Sequence, residues 1–124
     1  MESRAERLGA AKSDASLLVL FIPSVDRDEQ PIDHDAWVTL ALKVLGTLFG
    51  GATAFPQGRG VWRDDVRGGG LVFDEPTLIQ SYTNESLIDR QLDALRDFLL
   101  QLGRDTNQGA VGFVIDREYY EMRF

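Results

Sequence analysis

A run of apolar residues, LLVLFI at positions 17–22, is the feature that most constrains the fold of this chain. The run is too short for a helix and rich in branched side chains, and Pro23 ends it. It therefore predicts a strand that is covered on at least one face. Near the C-terminus, Val111, Phe113 and Ile115 alternate as in a second strand. We expect these two segments to be neighbouring buried strands.

Two other segments have the three-to-four-residue apolar spacing of amphipathic helices. The first follows Asp33, a good helix N-cap, and ends at Gly50. The second follows Asn84 and ends at Gly103. Between the helices, the segments 52–62 and 71–83 have strand patterns that proline and glycine interrupt, and a polar, glycine-rich turn joins them. These two segments predict a bent hairpin.

The predicted order is strand, helix, strand, strand, helix, strand. It favours an α+β, ferredoxin-like βαββαβ fold, with a four-stranded antiparallel sheet and two helices on one face. The 124 residues are enough for one domain. We expect residues 1–15 to form a flexible or docking arm and residues 16–124 to form a single domain.

Composition and charge exclude several classes of protein. The chain has no cysteine, so it has no disulfide framework and no cysteine-ligated metal. Its formal net charge of −7 makes nucleic-acid binding unlikely, because phosphate backbones are repelled. No apolar run approaches the roughly 20 residues that cross a bilayer. These properties predict a cytoplasmic protein that does not bind a membrane.

Three stretches resemble a family of small bacterial proteins of unknown function with an F-P-x-G-x-G-x-W-R-D motif. They are FGGATAFPQGRGVWRD at 49–64, EPTLIQSYT at 75–83 and QGAVGFVID at 108–116. The resemblance implies the ferredoxin-like order, with Trp37 in the first helix. It implies no activity, because the family has none to transfer.

The hairpin supplies candidate ligand-binding residues if its strands pair. The arginines would hold an anion and the indole would form a wall of the pocket. The candidates are Arg59, Trp62, Arg63, Glu75 and Tyr82. A structural interpretation competes with this one: Trp62 fills the core where the strand bends, and Arg63 forms an exposed ion pair with a neighbouring aspartate. We favour the structural interpretation.

The acidic loop 26–35 contains weak candidates for a metal site, namely Asp26, Asp28 and His34. Hard cations require several oxygen ligands, but the spacing in this loop matches no ligand template. We therefore predict a solvated loop whose aspartates favour the start of the following helix. No metal and no cofactor are predicted.

Aromatic residues at the C-terminus suggest an interface. Tyr119, Tyr120, Met122 and Phe124 belong to residue types that are common where proteins meet. No catalytic residue is predicted, because a single histidine without a G-x-S-x-G elbow does not make a triad. The leading hypothesis is a non-catalytic cytoplasmic interaction module that binds itself or another protein subunit. The second is a small enzyme or anionic small-molecule-binding protein with a pocket at the hairpin, and the third is a metal-dependent nuclease centred on Asp26.

Overall fold

An antiparallel sheet is the centre of the structure, a computed structural model that describes residues 1–124. Strands and helices follow one another along the chain with short connections. They are α1 (Arg4–Leu8), β1 (Ser16–Ile22), α2 (His34–Phe49), β2 (Thr53–Phe55), β3 (Gly60–Asp64), β4 (Gly70–Asp74), β5 (Thr77–Thr83), α3 (Glu85–Arg90), α4 (Leu92–Asp105), β6 (Ala110–Ile115) and β7 (Glu118–Arg123).

The main sheet has five strands in the order β2-β5-β1-β6-β7, and every neighbouring pair is antiparallel. Strands β1 and β6 lie side by side, with Leu20 opposite Phe113, as the two apolar runs predict. Strands β3 and β4 form a separate two-stranded hairpin, in which Trp62 lies opposite Val72.

Helices α2 and α4 pack on one face of the main sheet. Alternate residues of β1 point into this layer and are fully buried, as the two-residue period of a strand requires. They contact the apolar faces of both helices through Leu18, Leu20, Ile22, Leu45, Leu99 and Leu102. Asp33 caps α2 by accepting a hydrogen bond from the Ala36 amide, and Asn84 caps α3 in the same way. Both caps agree with the sequence prediction.

The mixed α+β class and the antiparallel sheet are confirmed, but the sheet has five strands rather than four. Each of the two segments predicted as a bent strand is divided beside a proline, because proline cannot donate a hydrogen bond to a neighbouring strand. The first half of one segment (β2) and the second half of the other (β5) join the main sheet, and the remaining halves form the hairpin. After β6 the chain reverses at Asp116, which has a positive φ of 56°, and adds β7 at the edge.

The N-terminal segment contains the short helix α1, and none of its residues is buried. The separation of residues 1–15 from a domain of residues 16–124 stays a prediction. No helix has the length and apolar character needed to cross a membrane.

Replacing Leu45 tests the packing between α2 and the sheet. Leu45 is 0% exposed, so Leu45→Ala is expected to lower the free energy of unfolding by about 2–5 kcal/mol, through lost burial and a cavity. The matched control is Leu71→Ala at a side chain that is 59% exposed, where a change of less than about 0.5 kcal/mol is expected. Urea denaturation of both variants measures the difference, and equal losses would contradict this core assignment.

Candidate functional site

A cavity of about 480 Å³ lies between the hairpin and the face of the main sheet that the helices leave free. The hairpin contributes Trp62 and Asp64, which are on its inner face because strand side chains alternate. The sheet contributes Phe21, Gly112 and Tyr119. Two layers of strands therefore enclose a space of the size that small-molecule sites commonly have.

The base of the hairpin is fixed to the end of β1. An Asp74 carboxylate oxygen accepts hydrogen bonds from the Ser24 amide, at 2.8 Å, and from the Ser24 hydroxyl. The Ser24 Oγ in turn accepts a hydrogen bond from the Glu75 amide at 2.9 Å. These contacts set the distance between the hairpin and the sheet at one end of the cavity.

The tip of the hairpin is fixed by an ion pair. Arg67 follows β3 in a short 3₁₀ turn (Asp65–Arg67) and donates a hydrogen bond to Asp28 in the loop after β1. The Asn107 side-chain amide donates to the other Asp28 oxygen at 3.1 Å. The hydrogen bond from Arg67, followed by that from Asn107, lowers the pKa of Asp28 below its ordinary value of 3.8. The carboxylate is therefore charged at neutral pH.

Aromatic side chains form much of the cavity wall. Phe21 and Trp62 face the cavity from the two layers, and Tyr119 contributes a phenol ring from β7. Tyr119 lies over Gly112, where a Cβ atom would overlap its ring, so a larger residue at this position would displace the phenol. Partial burial, then the negative charge of Glu121, raises the pKa of Tyr119. Its hydroxyl therefore stays protonated at neutral pH.

Charged groups alternate with these rings around the cavity. Two of the lining arginines each pair with a carboxylate two residues away, Arg63 with Asp65 and Arg123 with Glu121. Asp64 differs from these exposed pairs, because it is only 6% exposed and does not cap the helical turn that follows it. A carboxylate buried in the cavity wall is suited to contact a positively charged group of a ligand.

The five residues predicted to bind a ligand do not converge. Trp62 and Arg63 line the cavity, but Arg59, Glu75 and Tyr82 do not. Tyr82 is on β5 and is 69% exposed. It lies near the end of α2 and away from the cavity. Trp62 is half-buried against the cavity and is not part of the apolar core cluster, so the prediction that it fills the core is wrong.

The weak metal candidates do not form one site. His34 binds the Pro23 carbonyl oxygen through Nδ1 at 2.8 Å and the Thr77 hydroxyl through Nε2 at 2.7 Å, so both ring nitrogens are occupied. Asp26 accepts hydrogen bonds within its own loop, Asp28 binds Arg67, and Asn107 Nδ2 donates to both carboxylates, at 3.3 and 3.1 Å. No group of three or more histidine and carboxylate side chains is placed to hold a metal ion.

The four predicted interface residues lie on both faces of the edge strand or at its end. Tyr119 faces the cavity, whereas Tyr120 stacks on Phe113 on the helix side, with ring centroids 5.3 Å apart. Met122 is half-buried against the core. Phe124 lies close to Gly103 of α4. Their role in self-association stays a prediction.

Several cavity residues were not found from the sequence, among them Arg27 and Gly112, whereas Asp64 was considered together with the hairpin residues. Arg27 and Gly112 come from the loop after β1 and from β6, and no short motif connects them. The available signal was the two-residue period of β1, which places Phe21 on the face opposite the core. This period does not predict that the hairpin covers that face, because the position of the hairpin depends on tertiary contacts.

The comparisons with known proteins identify the fold. No protein-family model and no curated protein matches the chain. A phage SAM lyase in complex with S-methyl-5'-thioadenosine has a similar structure, with a TM-score of 0.70 and 17% sequence identity, covering 91% of this chain and 92% of the other. A phage SAM lyase in its apo state matches with a TM-score of 0.60 and 18% identity, over 100% and 95% of the two chains. At these identities the likeness establishes a shared fold.

These matches contradict the leading hypothesis from the sequence, a non-catalytic protein-binding module, because both structures of the same fold are of an enzyme. The absence of a catalytic motif was the wrong basis for that hypothesis, since the cavity is assembled from separate segments. The second hypothesis, a small enzyme or ligand-binding protein with a pocket at the hairpin, agrees better with the cavity and the matches.

Asp28→Asn tests whether the Arg67–Asp28 pair holds the tip of the hairpin. The folded state lowers the pKa of Asp28, so the stabilisation is present above pH 3.8 and is lost as the pH falls through the lower pKa of the folded state. At neutral pH, amide hydrogen exchange in residues 60–74 is expected to be faster in Asp28→Asn than in the unmodified chain. At acidic pH, once Asp28 is protonated, the two proteins should exchange alike.

The matched control for this experiment is Asp65→Asn, which removes the other exposed arginine pair of the hairpin without releasing its tip. It is expected to leave the exchange of residues 60–74 close to that of the unmodified chain. Equal exchange of the Asp28 variant and the unmodified chain at neutral pH would contradict the role of the pair.

Proposed function

We propose that this chain is an enzyme that cleaves S-adenosylmethionine (SAM) and releases S-methyl-5'-thioadenosine. The observation that carries the proposal is the match over 91% of the chain, at a TM-score of 0.70, to a phage SAM lyase that contains this thioether. The cavity under the hairpin supports it, because its volume of about 480 Å³ is suited to a nucleoside-sized ligand.

The aromatic wall is suited to the adenine ring. Phe21, Trp62 and Tyr119 offer flat apolar surfaces, and aromatic groups stack on such surfaces in offset or edge-to-face arrangements. The Tyr119 hydroxyl donates to Glu121 at 3.4 Å and keeps an oxygen that can accept a hydrogen bond from a nucleoside N–H or O–H. Binding of the adenosine half therefore requires no group beyond those of the cavity.

The charges are suited to the sulfonium group. SAM carries a permanent positive charge on sulfur, and Asp64 places a largely buried carboxylate in the cavity wall. The formal net charge of −7 also attracts a cationic substrate over long range. The proposed substrate thus differs from the anionic ligand expected from the arginines of the hairpin, which are engaged in ion pairs or exposed.

The proposed reaction breaks the bond between sulfur and the carbon chain of the methionine half. The electron pair of that bond goes to sulfur, which becomes the neutral thioether. The carbon that loses sulfur can react in two ways. Either the substrate's own carboxylate forms a new C–O bond to it and closes a lactone, or a base removes a proton from the neighbouring carbon and an alkene forms. Attack by the carboxylate cancels two opposite charges, and a cavity that excludes water favours such a step.

The ferredoxin-like classification is kept as part of the proposal. The order β2-β5-β1-β6 of four strands and the two helices on one face support it, with β7 added at the edge and the hairpin inserted between the two halves. We also propose a cytoplasmic location. Self-association through the C-terminal strand stays a separate prediction, compatible with catalysis.

Trp62 provides a direct test of ligand binding, because the chain has only two tryptophans. In a Trp37→Phe variant, Trp62 is the single indole, and S-methyl-5'-thioadenosine is expected to change its fluorescence in a saturable manner by stacking in the cavity. The matched control is Trp62→Phe, which leaves Trp37 beside Phe98 in the helix layer and should show no ligand-dependent change. No change in the Trp62 emission at any soluble ligand concentration would contradict the assignment of the cavity.

The reaction is tested by incubating the purified chain with SAM and separating the products by liquid chromatography with mass detection. Release of S-methyl-5'-thioadenosine above that of an enzyme-free mixture is expected, and the mass and chemistry of the second product separate lactone from alkene. Asp64→Asn is expected to reduce kcat/KM about tenfold or more, because it removes the buried carboxylate that faces the sulfonium ion. Asp97→Asn, an exposed change on α4, serves as the matched control.

Product formation equal to that of the enzyme-free mixture would contradict the proposed lyase activity. Equal rates for the Asp64 and Asp97 variants would contradict the role of Asp64 alone.

A further inference from the structure

Arg27 differs from the other arginines of the cavity. The lining contains three guanidinium groups, and two of them, those of Arg63 and Arg123, pair with Asp65 and Glu121. Arg27 forms no salt bridge. It is the one cation of the cavity wall with no carboxylate of the chain within pairing distance.

The position of Arg27 fixes the side chain against the cavity. Its backbone amide donates to the Asn107 carbonyl oxygen at 3.0 Å, which ties the loop after β1 to the loop before β6. The guanidinium carbon and Nη2 are 3.5 Å from the position that a Cβ atom of Gly109 would occupy, and the Trp62 ring is at the same distance from that position. The guanidinium and the indole therefore border the same point at Gly109, in the part of the wall formed by the loops.

A hydrogen-bond donor of Arg27 is left without a partner. Its Nε atom is buried and has no hydrogen bond. A buried donor without an acceptor is costly, and a bidentate carboxylate would satisfy Nε together with a terminal nitrogen of the same guanidinium. The chain does not supply such a carboxylate at this point.

We propose that Arg27 binds the carboxylate of the amino-acid half of the ligand and is therefore a specificity-determining residue of the cavity. This inference rests on the proposed function, since it assumes a nucleoside thioether with an amino-acid chain. The Trp62 ring next to Arg27 places the adenosine half within the length of one such chain. A ligand with this carboxylate can pair with Arg27. S-methyl-5'-thioadenosine has no carboxylate and cannot form this pair.

The test uses two neutral thioethers with the same adenosine half, S-adenosylhomocysteine, which has the carboxylate, and S-methyl-5'-thioadenosine, which lacks it. Isothermal titration calorimetry of Arg27→Ala is expected to show a Kd for S-adenosylhomocysteine that is about 10–100-fold weaker than that of the unmodified chain, as for loss of a charged hydrogen bond. The Kd for S-methyl-5'-thioadenosine should change by less than about twofold, because that ligand has no carboxylate to pair with the guanidinium.

Three further measurements make the result specific. Decarboxylated SAM carries a sulfonium and an ammonium group but no carboxylate, so Arg27→Ala should not weaken its binding. Arg96→Ala, an exposed change on α4 that alters the net charge equally, should leave all three constants unchanged. Arg27→Lys keeps the charge but not the bidentate geometry, and it should weaken S-adenosylhomocysteine alone; it carries the test if Arg27→Ala does not fold.

The possible outcomes separate the two proposals. If the unmodified chain binds these ligands and the Arg27 variants weaken all of them equally, or none, the carboxylate assignment is overturned while the proposed function stands. If the unmodified chain binds neither thioether, both are overturned. Selective loss of S-adenosylhomocysteine supports the assignment.

Discussion

The cavity depends on how the chain leaves the main sheet beside Pro56 and Pro76. Proline cannot donate a hydrogen bond, so a continuous ladder across these positions is interrupted. The Gly58 amide donates to the Pro76 carbonyl oxygen at 2.8 Å, and this bond holds the two departing segments together where they separate from β2 and β5. Both segments can therefore leave the sheet as a pair and continue as the hairpin β3–β4. A straight path for either segment would remove one wall of the cavity.

The hairpin and the helix layer are also stabilised by different interactions. The core cluster lies entirely between the main sheet and the helices, and it includes no side chain of the hairpin. The hairpin is held by its own ladder, by burial of Val72, which is 7% exposed, and by polar contacts at its two ends. Substitutions in the helix layer are consequently expected to act on global stability. Substitutions on the inner face of the hairpin act on the cavity.

Sequence patterns predicted most of the helix layer, because it follows from local physics. The predicted second helix is the exception, since it is divided at Gln91 and continues past Gly103 to Asp105. The apolar stripe of α2, the cap at Asp33 and the glycine at its end are all within one segment, and β1 is recognisable from its six apolar residues alone. The fifth strand and the free hairpin were missed. Residues 53–64 have the composition of one bent strand, and the choice between bending and leaving the sheet depends on partners far along the chain.

The site was only partly predictable for the same reason. Trp62 and Arg63 were identified because the motif that contains them is unusual, and the predicted exposed ion pair of Arg63 with a neighbouring aspartate is confirmed. The charge state of the rest of the cavity wall could not be assigned from sequence distance. Arg63 and Arg123 find carboxylates two residues away on their own segments, whereas Arg27 has aspartates on both sides and pairs with neither. The side chains of adjacent residues in an extended loop point in different directions, so charges that are adjacent in sequence need not form an ion pair. The distribution of unsatisfied charge, which decides what a cavity binds, is a property of the assembled fold.

The arrangement of contacts also suggests how a ligand enters a cavity that is covered by a strand pair. The hairpin shares no ladder with the main sheet, so it can move without breaking the hydrogen bonds of β1, β5 or β6. Its base has three hydrogen bonds around Ser24, but its tip is held by exposed side chains of Arg67 and Asp28 that water can replace. Opening is therefore expected at the tip, with the base as the hinge. A ligand that contacts both Trp62 of the hairpin and Arg27 of the facing loop would join the two layers and favour the closed state, which couples binding of the complete substrate to the exclusion of water.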